Sequence, residues 1–431
     1  MSLKQGINHR LRIVEPVYDV ANQRAEYRLP ADMMFFSDFR LINVGSSVAN
    51  ATLYNAVLGA EAHIRAIRLF DGATELDAVN DFPQWRSFQK LQVSNDGAAD
   101  VGSVLSRNRL GFIAQGQENI LEGTFAQTPK LSSSAAASLA NFGQVGQKAW
   151  ISLKSNFPIL QAVPVMPTGV FRQLRVEIEY NSAAAMTKLI VDDQVANLSS
   201  SRALLLADEI QDPEQEKTMM KAFASAPIRY RGLVQDQFLL QDVVAPAAGA
   251  VVHSQTQRLR GFDSSYVHSL IVKVVPRAMR QPAANTNNPF GQLGSQVLYS
   301  PEIQVAVNGQ NLIPREGLRG KMRALAMTTD SVGSLDLPIQ VAKLGQKFND
   351  KGLDGIAEQG RGLYLPYAID VEQFVEDMQL TITRSAISNN AELVASYDVL
   401  CFAHVDRAIV FEKGAGMTGG DSRYRIVNIG A

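Results

Sequence analysis

The sequence is poor in cysteine, in net charge and in long apolar stretches, and each shortage excludes a class of protein. It has one cysteine, Cys401, in 431 residues, which excludes an intrachain disulfide framework. No stretch approaches the roughly 18 apolar residues of a membrane span, and the first residues lack the apolar core of a signal peptide. We therefore expect a soluble chain made in a cytosol. The 41 basic residues balance 42 acidic ones, so we expect no specific nucleic-acid recognition.

Recognisable catalytic and metal-binding patterns are also missing. The five histidines are scattered, with no H-x-x-x-H pair and no cysteine–histidine cluster, so we predict no metal and no other cofactor. Cys401 and His404 stand three positions apart, which places them on opposite faces of a strand. The spacing GxGxxG occurs at Gly414–Gly419, too close to the C-terminus for a dinucleotide fingerprint, and we interpret it as a turn in the tail. These observations favour a protein that is not an enzyme.

Short apolar segments with strand character fill most of the chain. In "LRVEIEY", Leu174–Tyr180, apolar residues alternate with arginine and glutamate, which predicts a strand with one solvated face. Many such strands separated by turn signals are typical of a sandwich or a barrel. We therefore expect an all-β fold with few helices.

Two hairpin signals occur far apart in the chain. "AIRLFDGATELDAV" and "IQVAVNGQNLIP" each place a pair of turn-forming residues between apolar runs. Asp71–Gly72 and Asn308–Gly309 are predicted to occupy the two central positions of tight turns, because Asn, Asp and Gly tolerate the positive φ required there. The sequences that follow the two hairpins share one order: variable loops, an alternating strand, a loop of small residues and a final strand. This shared order indicates two similar β units.

A helix is predicted between the two units. Residues Asp212–Ala226 begin with Asp as a cap and Pro213 at the first helical position, followed by acidic residues in the first turn. A second helical turn is expected around Trp85, which we predict to anchor a short helix onto a sheet because its ring buries a large apolar area.

The count of strands and the repeat predict two jelly-roll β-sandwich domains in tandem, joined by a linker that contains a short helix. We place the N-terminal jelly roll at 1–207, the linker helix at 208–227, and the C-terminal jelly roll with its tail at 228–431. Ser/Ala/Gly/Gln-rich and Pro/Asn-rich stretches at about 128–148 and 280–296 are predicted surface loops.

In these features the sequence resembles the double jelly-roll major capsid proteins of tailless icosahedral DNA viruses, a lineage that includes virophages and polinton-like viruses. The resemblance rests on the segment "AHIRAIRLFDGATELDAVNDFPQWRSF", the central helix, the "IQVAVNGQNLIP" hairpin and the closing strand "VASYDVLCFAHVDRAIVF". It implies a homotrimer in which six jelly rolls form a pseudo-hexagonal ring, with loops as outer towers and terminal segments on the inner face. The chain would then be a structural subunit of the virion, synthesised in the host cytosol without a signal peptide.

The resemblance also implies partners. These are other copies of the chain, neighbouring capsomers, and penton and minor capsid proteins, with contacts of the termini to the genome or to an inner membrane. Basic residues that could make inner-face or subunit contacts are Lys4, Arg10, Arg12, Arg315, Arg319, Lys321 and Arg323.

Two other functions fit a β-sandwich chain. A receptor- or carbohydrate-binding protein of a virion, spike-like and without catalysis, is the main alternative, but its loops would be rich in aromatic residues, and the long loops here are not. A duplicated cupin-like enzyme would need the H-x-H-x-E pattern, which the sequence lacks.

Overall fold

A computed structural model describes residues 7–21, 23–31, 33–42, 46–47, 63–92, 150–154, 156–171, 173–182, 198–199, 203–214, 218, 227–241, 250–276, 302–312, 367–387, 396–411 and 424–429. The predicted loops at 128–148 and 280–296 lie outside these residues, as does Gly414–Gly419. Within the described residues, no helix is long and apolar enough to span a membrane.

The first half of the chain forms two facing sheets and a small two-stranded sheet, in which β6 pairs with β12. Its elements are β1 (His9–Val14), β2 (Tyr18–Val20), β3 (Arg24–Arg28), β4 (Met34–Phe36), β5 (Arg40–Ile42), β6 (Ser46–Ser47), β7 (Ile64–Asp71), β8 (Thr74–Val79), α1 (Phe82–Gln92), β9 (Trp150–Ser152), α2 (Pro158–Ala162), β10 (Val165–Pro167), β11 (Leu174–Tyr180), β12 (Leu198–Ser199) and β13 (Leu204–Ile210). One sheet has the order β10-β4-β13-β5-β9 with β1 paired to β13, and the other has the order β2-β3-β11-β7-β8.

The second half repeats this architecture. Its strands are β14 (Ile228–Leu240), β15 (Ala250–Arg258), β16 (Ser265–Pro276), β17 (Glu302–Val307), β18 (Gln310–Asn311), β19 (Tyr367–Val375), β20 (Met378–Ile387), β21 (Tyr397–Phe411) and β22 (Tyr424–Asn428). The sheets have the orders β14-β21-β16-β19, with β22 paired to β21, and β15-β20-β17-β18.

Strand pairing in both halves is nested, which is the topology of a jelly roll. In the second half β14 pairs with β21, β15 with β20, β16 with β19 and β17 with β18. In the first half β1 pairs with β13, β3 with β11, β4 with β10, β5 with β9 and β7 with β8. The predicted fold class, two jelly rolls in tandem, is therefore confirmed.

The two hairpins hold the same place in this nested order, at the innermost pair of each jelly roll. Asn308 and Gly309 occupy the two central positions of the β17–β18 turn, with φ of 51° and 80°. In the β7–β8 hairpin, Asp71 pairs with Thr74, so the central positions belong to Gly72, with φ of 58°, and Ala73. The predicted turn position of Asp71 is thus wrong by one residue. Its carboxylate instead accepts a 2.6 Å hydrogen bond from the backbone amide of Gln173, which holds it in the strand.

Replacing Gly309 by valine is expected to lower the free energy of unfolding by about 1–3 kcal/mol, because a β-branched residue is strained at positive φ. A Cβ at this position would contact nothing within 4 Å, so the loss would come from the backbone alone. The matched control is Gln310→Val, an exposed strand position, which should change stability by less than about 0.5 kcal/mol. Equal stabilities of the two variants in urea titrations would contradict the turn geometry.

The segment "LLLADEI", Leu204–Ile210, is a strand that the sequence did not reveal. It forms β13, the central strand of its sheet, because β1 pairs with it on one side and β4 and β5 on the other. Its acidic residues interrupt the apolar pattern, yet Glu209 is bound by Arg12 at 3.1 Å. β13 continues to Ile210, three residues beyond the domain boundary predicted at 207.

The start of the predicted linker helix lies within the described residues. Pro213, Glu214 and Thr218 are helical, and the carboxylate of Asp212 accepts a 3.2 Å hydrogen bond from the amide of Glu214. This contact has the geometry of the predicted Asp cap. The domain limits at 207, 208, 227 and 228 remain predictions.

Candidate functional site

The first jelly roll covers the outer face of one sheet of the second. On β21, Val399 and Cys401 point into the core of the second jelly roll, whereas Leu400 and Phe402 pack with residues of the first. On the neighbouring strand β16, Ile271 also packs with the first jelly roll. Both faces of this sheet are therefore buried, and one of them forms a contact between the two halves of the chain.

Helix α1 supplies the main aromatic contact of this interface. Trp85 is 3% exposed, and its ring centroid lies 5.4 Å from that of Phe402 and 5.4 Å from that of His404. Trp85 does anchor a helix onto a sheet, as predicted, but the sheet belongs to the other jelly roll. Local sequence could not show this, because nothing near Trp85 identifies a partner more than 300 positions away.

A buried lysine joins the same helix to β16. Lys273 is fully buried, and its Nζ donates hydrogen bonds to the carbonyl oxygen of Gln84 at 2.9 Å and to the Oε1 of the same residue at 3.1 Å. Burial lowers the pKa of Lys273 to about 7, although the carboxylate of Asp81 opposes the shift. The Nε2 of Gln235 on β14 donates a 2.6 Å hydrogen bond to Asp81. Polar groups of both jelly rolls are thus paired across the interface.

A second polar joint lies where β8 meets α2 and β14. Asp77 is buried, and its carboxylate accepts hydrogen bonds from the amide of Ile159 at 3.2 Å and from the amide of Ala78 at 3.1 Å. Burial raises the pKa of Asp77 to about 7, although these hydrogen bonds and the charge of Arg407 oppose the shift. Beside it, the hydroxyl of Tyr230 donates a 2.8 Å hydrogen bond to the carbonyl of Leu76. This contact also connects the two jelly rolls.

Three aromatic rings extend the interface towards the end of β21. Phe171 lies 6.1 Å from Phe411 and 5.8 Å from Tyr424, and these two rings are 5.9 Å apart. All three pairs are edge-to-face, the arrangement that aromatic quadrupoles favour. Tyr424 begins β22, so the last described strand is also packed against the first jelly roll.

His404 and Cys401 on β21, and His268 on the neighbouring strand β16, have structural surroundings. Burial lowers the pKa of His404 to about 4, which leaves the ring neutral at pH 7, and its Nδ1 lies 3.0 Å from the hydroxyl of Ser269. The Nε2 of His268 lies 2.8 Å from the carboxylate of Asp406. Cys401 is buried, which raises the pKa of its thiol. In the part of the chain that the structure describes, no group of three or more His, Cys, Asp or Glu side chains could hold a metal ion.

The outer face of the β3-β11-β7 sheet carries a lattice of ion pairs, which we call the charged face. Its members are Arg24, Glu26, Arg28, Arg65, Arg68, Arg175, Glu177 and Glu179. Glu177 is bound by Arg68 at 3.0 Å and by Arg24 at 3.4 Å. The alternation predicted for Leu174–Tyr180 is present, but its polar face is not simply solvated, because arginine side chains cover Glu26 and Glu177.

Replacing Glu177 by glutamine is expected to lower the free energy of unfolding by about 1–3 kcal/mol, because a nearly buried carboxylate would no longer pair with two arginines. The matched control is Glu179→Gln on the same strand. The side chain of Glu179 is 26% exposed and that of Glu177 is 8% exposed, so the control should lose less than about 1 kcal/mol. Urea titrations at low and high salt would test this contrast, and equal losses would contradict the role given to the charged face.

Few of the predicted basic contact residues lie within the described ranges. Arg10 is exposed on β1, whereas Arg12 binds Glu209 and donates to the sulfur of Met33 at 3.2 Å. Lys4, Arg315, Arg319, Lys321 and Arg323 lie outside the described residues. Arg12 therefore has an intrachain partner, and Arg10 keeps a side chain open to solvent.

Comparison with solved structures identifies the fold. No protein-family model matches the sequence, and no curated protein matches it. The major capsid protein of mavirus is similar over 100% of this chain and 92% of its own, with 8% identity and a TM-score of 0.50. A structure of the Sputnik virophage matches with 7% identity over 100% and 90% of the two chains, and PBCV-1 VP54 with 12% identity over 99% of each, both with TM-scores of 0.49. The chain, two jelly rolls in tandem, thus shares the fold of the mavirus major capsid protein.

Proposed function

We propose that the protein is a major capsid protein, which forms homotrimers and assembles these capsomers into an icosahedral viral shell. The observation that supports this most is the pair of jelly rolls with corresponding nested strand pairing in one chain, together with the full-length likeness to a viral major capsid protein. In this role the chain is structural, and it acts through contacts between copies.

Two jelly rolls per chain suit a closed ring. Three copies would bring six similar units around one axis, so a threefold symmetric assembly would have a nearly hexagonal outline. Hexagonal units can tile a flat facet, and different proteins are needed where five facets meet. We therefore also propose penton and minor capsid proteins as partners, and the virion as the location.

The interface inside the chain supports this role. Apolar and paired polar contacts hold the two jelly rolls together. They include the packing of Trp85 of α1 against Phe402 of β21 and the hydrogen bond from Tyr230 of β14 to Leu76 of β8. A capsomer needs its units fixed relative to one another, because neighbouring capsomers must meet at constant positions. Arg10, which is exposed near the N-terminus, is a candidate for a contact with the genome or with an inner membrane.

Light scattering after size-exclusion chromatography tests the proposal. The expected result is a particle with the mass of three 47.0 kDa chains, in equilibrium with larger assemblies at raised concentration. A chain that stays monomeric at every concentration and salt, and that binds glycans on an array, would contradict the proposal and favour the spike-like alternative.

A further inference from the structure

The two jelly rolls present equivalent sheets in very different surroundings. By the nested pairing, β13 and β1 of the first jelly roll correspond to β21 and β14 of the second. The outer face of the second sheet is covered within the chain, and both Leu400 and Phe402 are fully buried. The outer face of the first sheet also carries apolar residues, but some of these are exposed to solvent.

Strand β1 exposes apolar residues on this outer face. Leu11 is 53% exposed and Ile13 is 56% exposed. They alternate with Arg12, which binds Glu209, and with Val14, which packs in the core. Leu11 and Ile13 therefore point to the same side of the sheet, away from that core.

The apolar surface continues onto the central strand. Ile13 is paired with Leu206 on β13, and Leu206 and Leu204 are both partly exposed on the same side. We call Leu11, Ile13, Leu204 and Leu206 the β1 face. Beyond it, on the same sheet, lies a small buried cluster whose members are Met34, Phe36, Val165 and Ile210. Two charged residues border the β1 face on the same side of the sheet: Asp208, which pairs with Leu11, and Arg40, which pairs with Leu206. Apolar side chains exposed together inside a polar rim mark a surface that contacts another molecule.

We propose that the β1 face binds the second jelly roll of another copy of this chain. The inference rests on the proposed function and adds to it the surface that closes the capsomer. Within one chain, the first jelly roll covers the outer face of the second. The second jelly roll of a neighbouring copy would cover the equivalent face of the first in the same manner. Every jelly roll in the ring would then be covered by one neighbour and would itself cover the next. Such a head-to-tail contact closes when the rotation per unit divides the circle.

A different partner could also bind at the β1 face, and the experiments below distinguish it from a second copy of the chain. Among the described strands β1 pairs with β13 alone, so an added strand from a minor capsid protein could use its open edge. The second jelly roll of another copy fits the β1 face better than an added strand. The β1 face consists of side chains that point out of the sheet, whereas strand addition uses the backbone at the edge of the sheet.

The first experiment measures the oligomeric state of Ile13→Asp and Ile13→Lys. Both side chains are hydrated on a free monomer, so circular dichroism and thermal unfolding of the monomer should be unchanged. The concentration at which half of the chains are trimeric should rise at least about tenfold for either sign of charge, because a buried unpaired charge opposes association. The matched control is Val252→Asp on β15, where the side chain is 65% exposed, and it should trimerise like the unmodified chain.

The second experiment identifies the occupant. A photo-reactive phenylalanine analogue at position 11 should form crosslinks between two chains, and mass spectrometry should locate them in residues 228–431 of the second copy. Crosslinks to the first jelly roll of the other copy, or to another protein alone, would overturn the inference. A trimer that is indifferent to both Ile13 variants would overturn it while leaving the proposed function intact. A chain that never trimerises would overturn both.

Discussion

Replacing Trp85 by alanine is expected to lower the free energy of unfolding by about 3–5 kcal/mol, the usual loss for a large aromatic side chain in a core. The ring fills the contact between α1 and the outer face of β21, against Phe402 and His404. Its removal would leave a cavity between the two jelly rolls. Urea titrations followed by far-ultraviolet circular dichroism would measure the change.

Two further observations separate this interface role from ordinary core packing. Trp85→Phe keeps an aromatic ring against Phe402 and should lose no more than about half of the alanine loss. In Trp85→Ala the two jelly rolls should also unfold in separate steps, because the contact that couples them is weakened. A loss below about 1 kcal/mol for Trp85→Ala, or an unchanged single transition, would contradict the packing described for α1.

Replacing Lys273 by methionine is expected to flatten the dependence of stability on pH above neutrality. Burial lowers the pKa of Lys273 from its ordinary value of 10.5 to about 7. Between these two values the unfolded chain binds a proton at this lysine that the folded chain does not, so the free energy of unfolding rises with pH. The slope from one such group is at most about 1.4 kcal/mol per pH unit.

The unmodified chain should therefore gain about 2–3 kcal/mol more than Lys273→Met between pH 7 and pH 9. The comparison of two slopes cancels the contributions of other groups that titrate in this window, including Asp77. The matched control is Lys154→Met, since Lys154 is partly exposed, and this variant should keep the slope of the unmodified chain. If the free energy of unfolding changes with pH equally in the unmodified chain and in Lys273→Met, then Lys273 is not buried in the contact with Gln84.

Features with a local cause could be predicted from the sequence. The positive φ required in a tight turn selects Asn308 and Gly309, and both adopt it. The alternation in Leu174–Tyr180 places one set of side chains in the core, as β11 shows. The nested order of strands repeats in both halves, so two hairpins and two alternating strands were enough to predict the architecture.

Features with a distant cause could not be predicted. β13 was missed because its acidic residues resemble a polar linker, and their basic partners are far away in the sequence: Arg12 pairs with Glu209 and Arg40 with Asp208. Lys273 stands in an apolar strand, "SLIVKVVP", where a single lysine usually indicates a solvated face. Its carbonyl partner at Gln84 is 189 positions away. In each case a polar side chain is stabilised by a residue that is distant in the sequence and that only the folded structure brings close.

Negative-stain electron microscopy of the purified oligomer tests the central claim most directly. The proposal predicts particles with a nearly hexagonal outline whose class averages have threefold symmetry, because three chains would contribute six similar jelly rolls to one ring. Class averages with twofold symmetry, or elongated single chains under conditions that favour assembly, would contradict it.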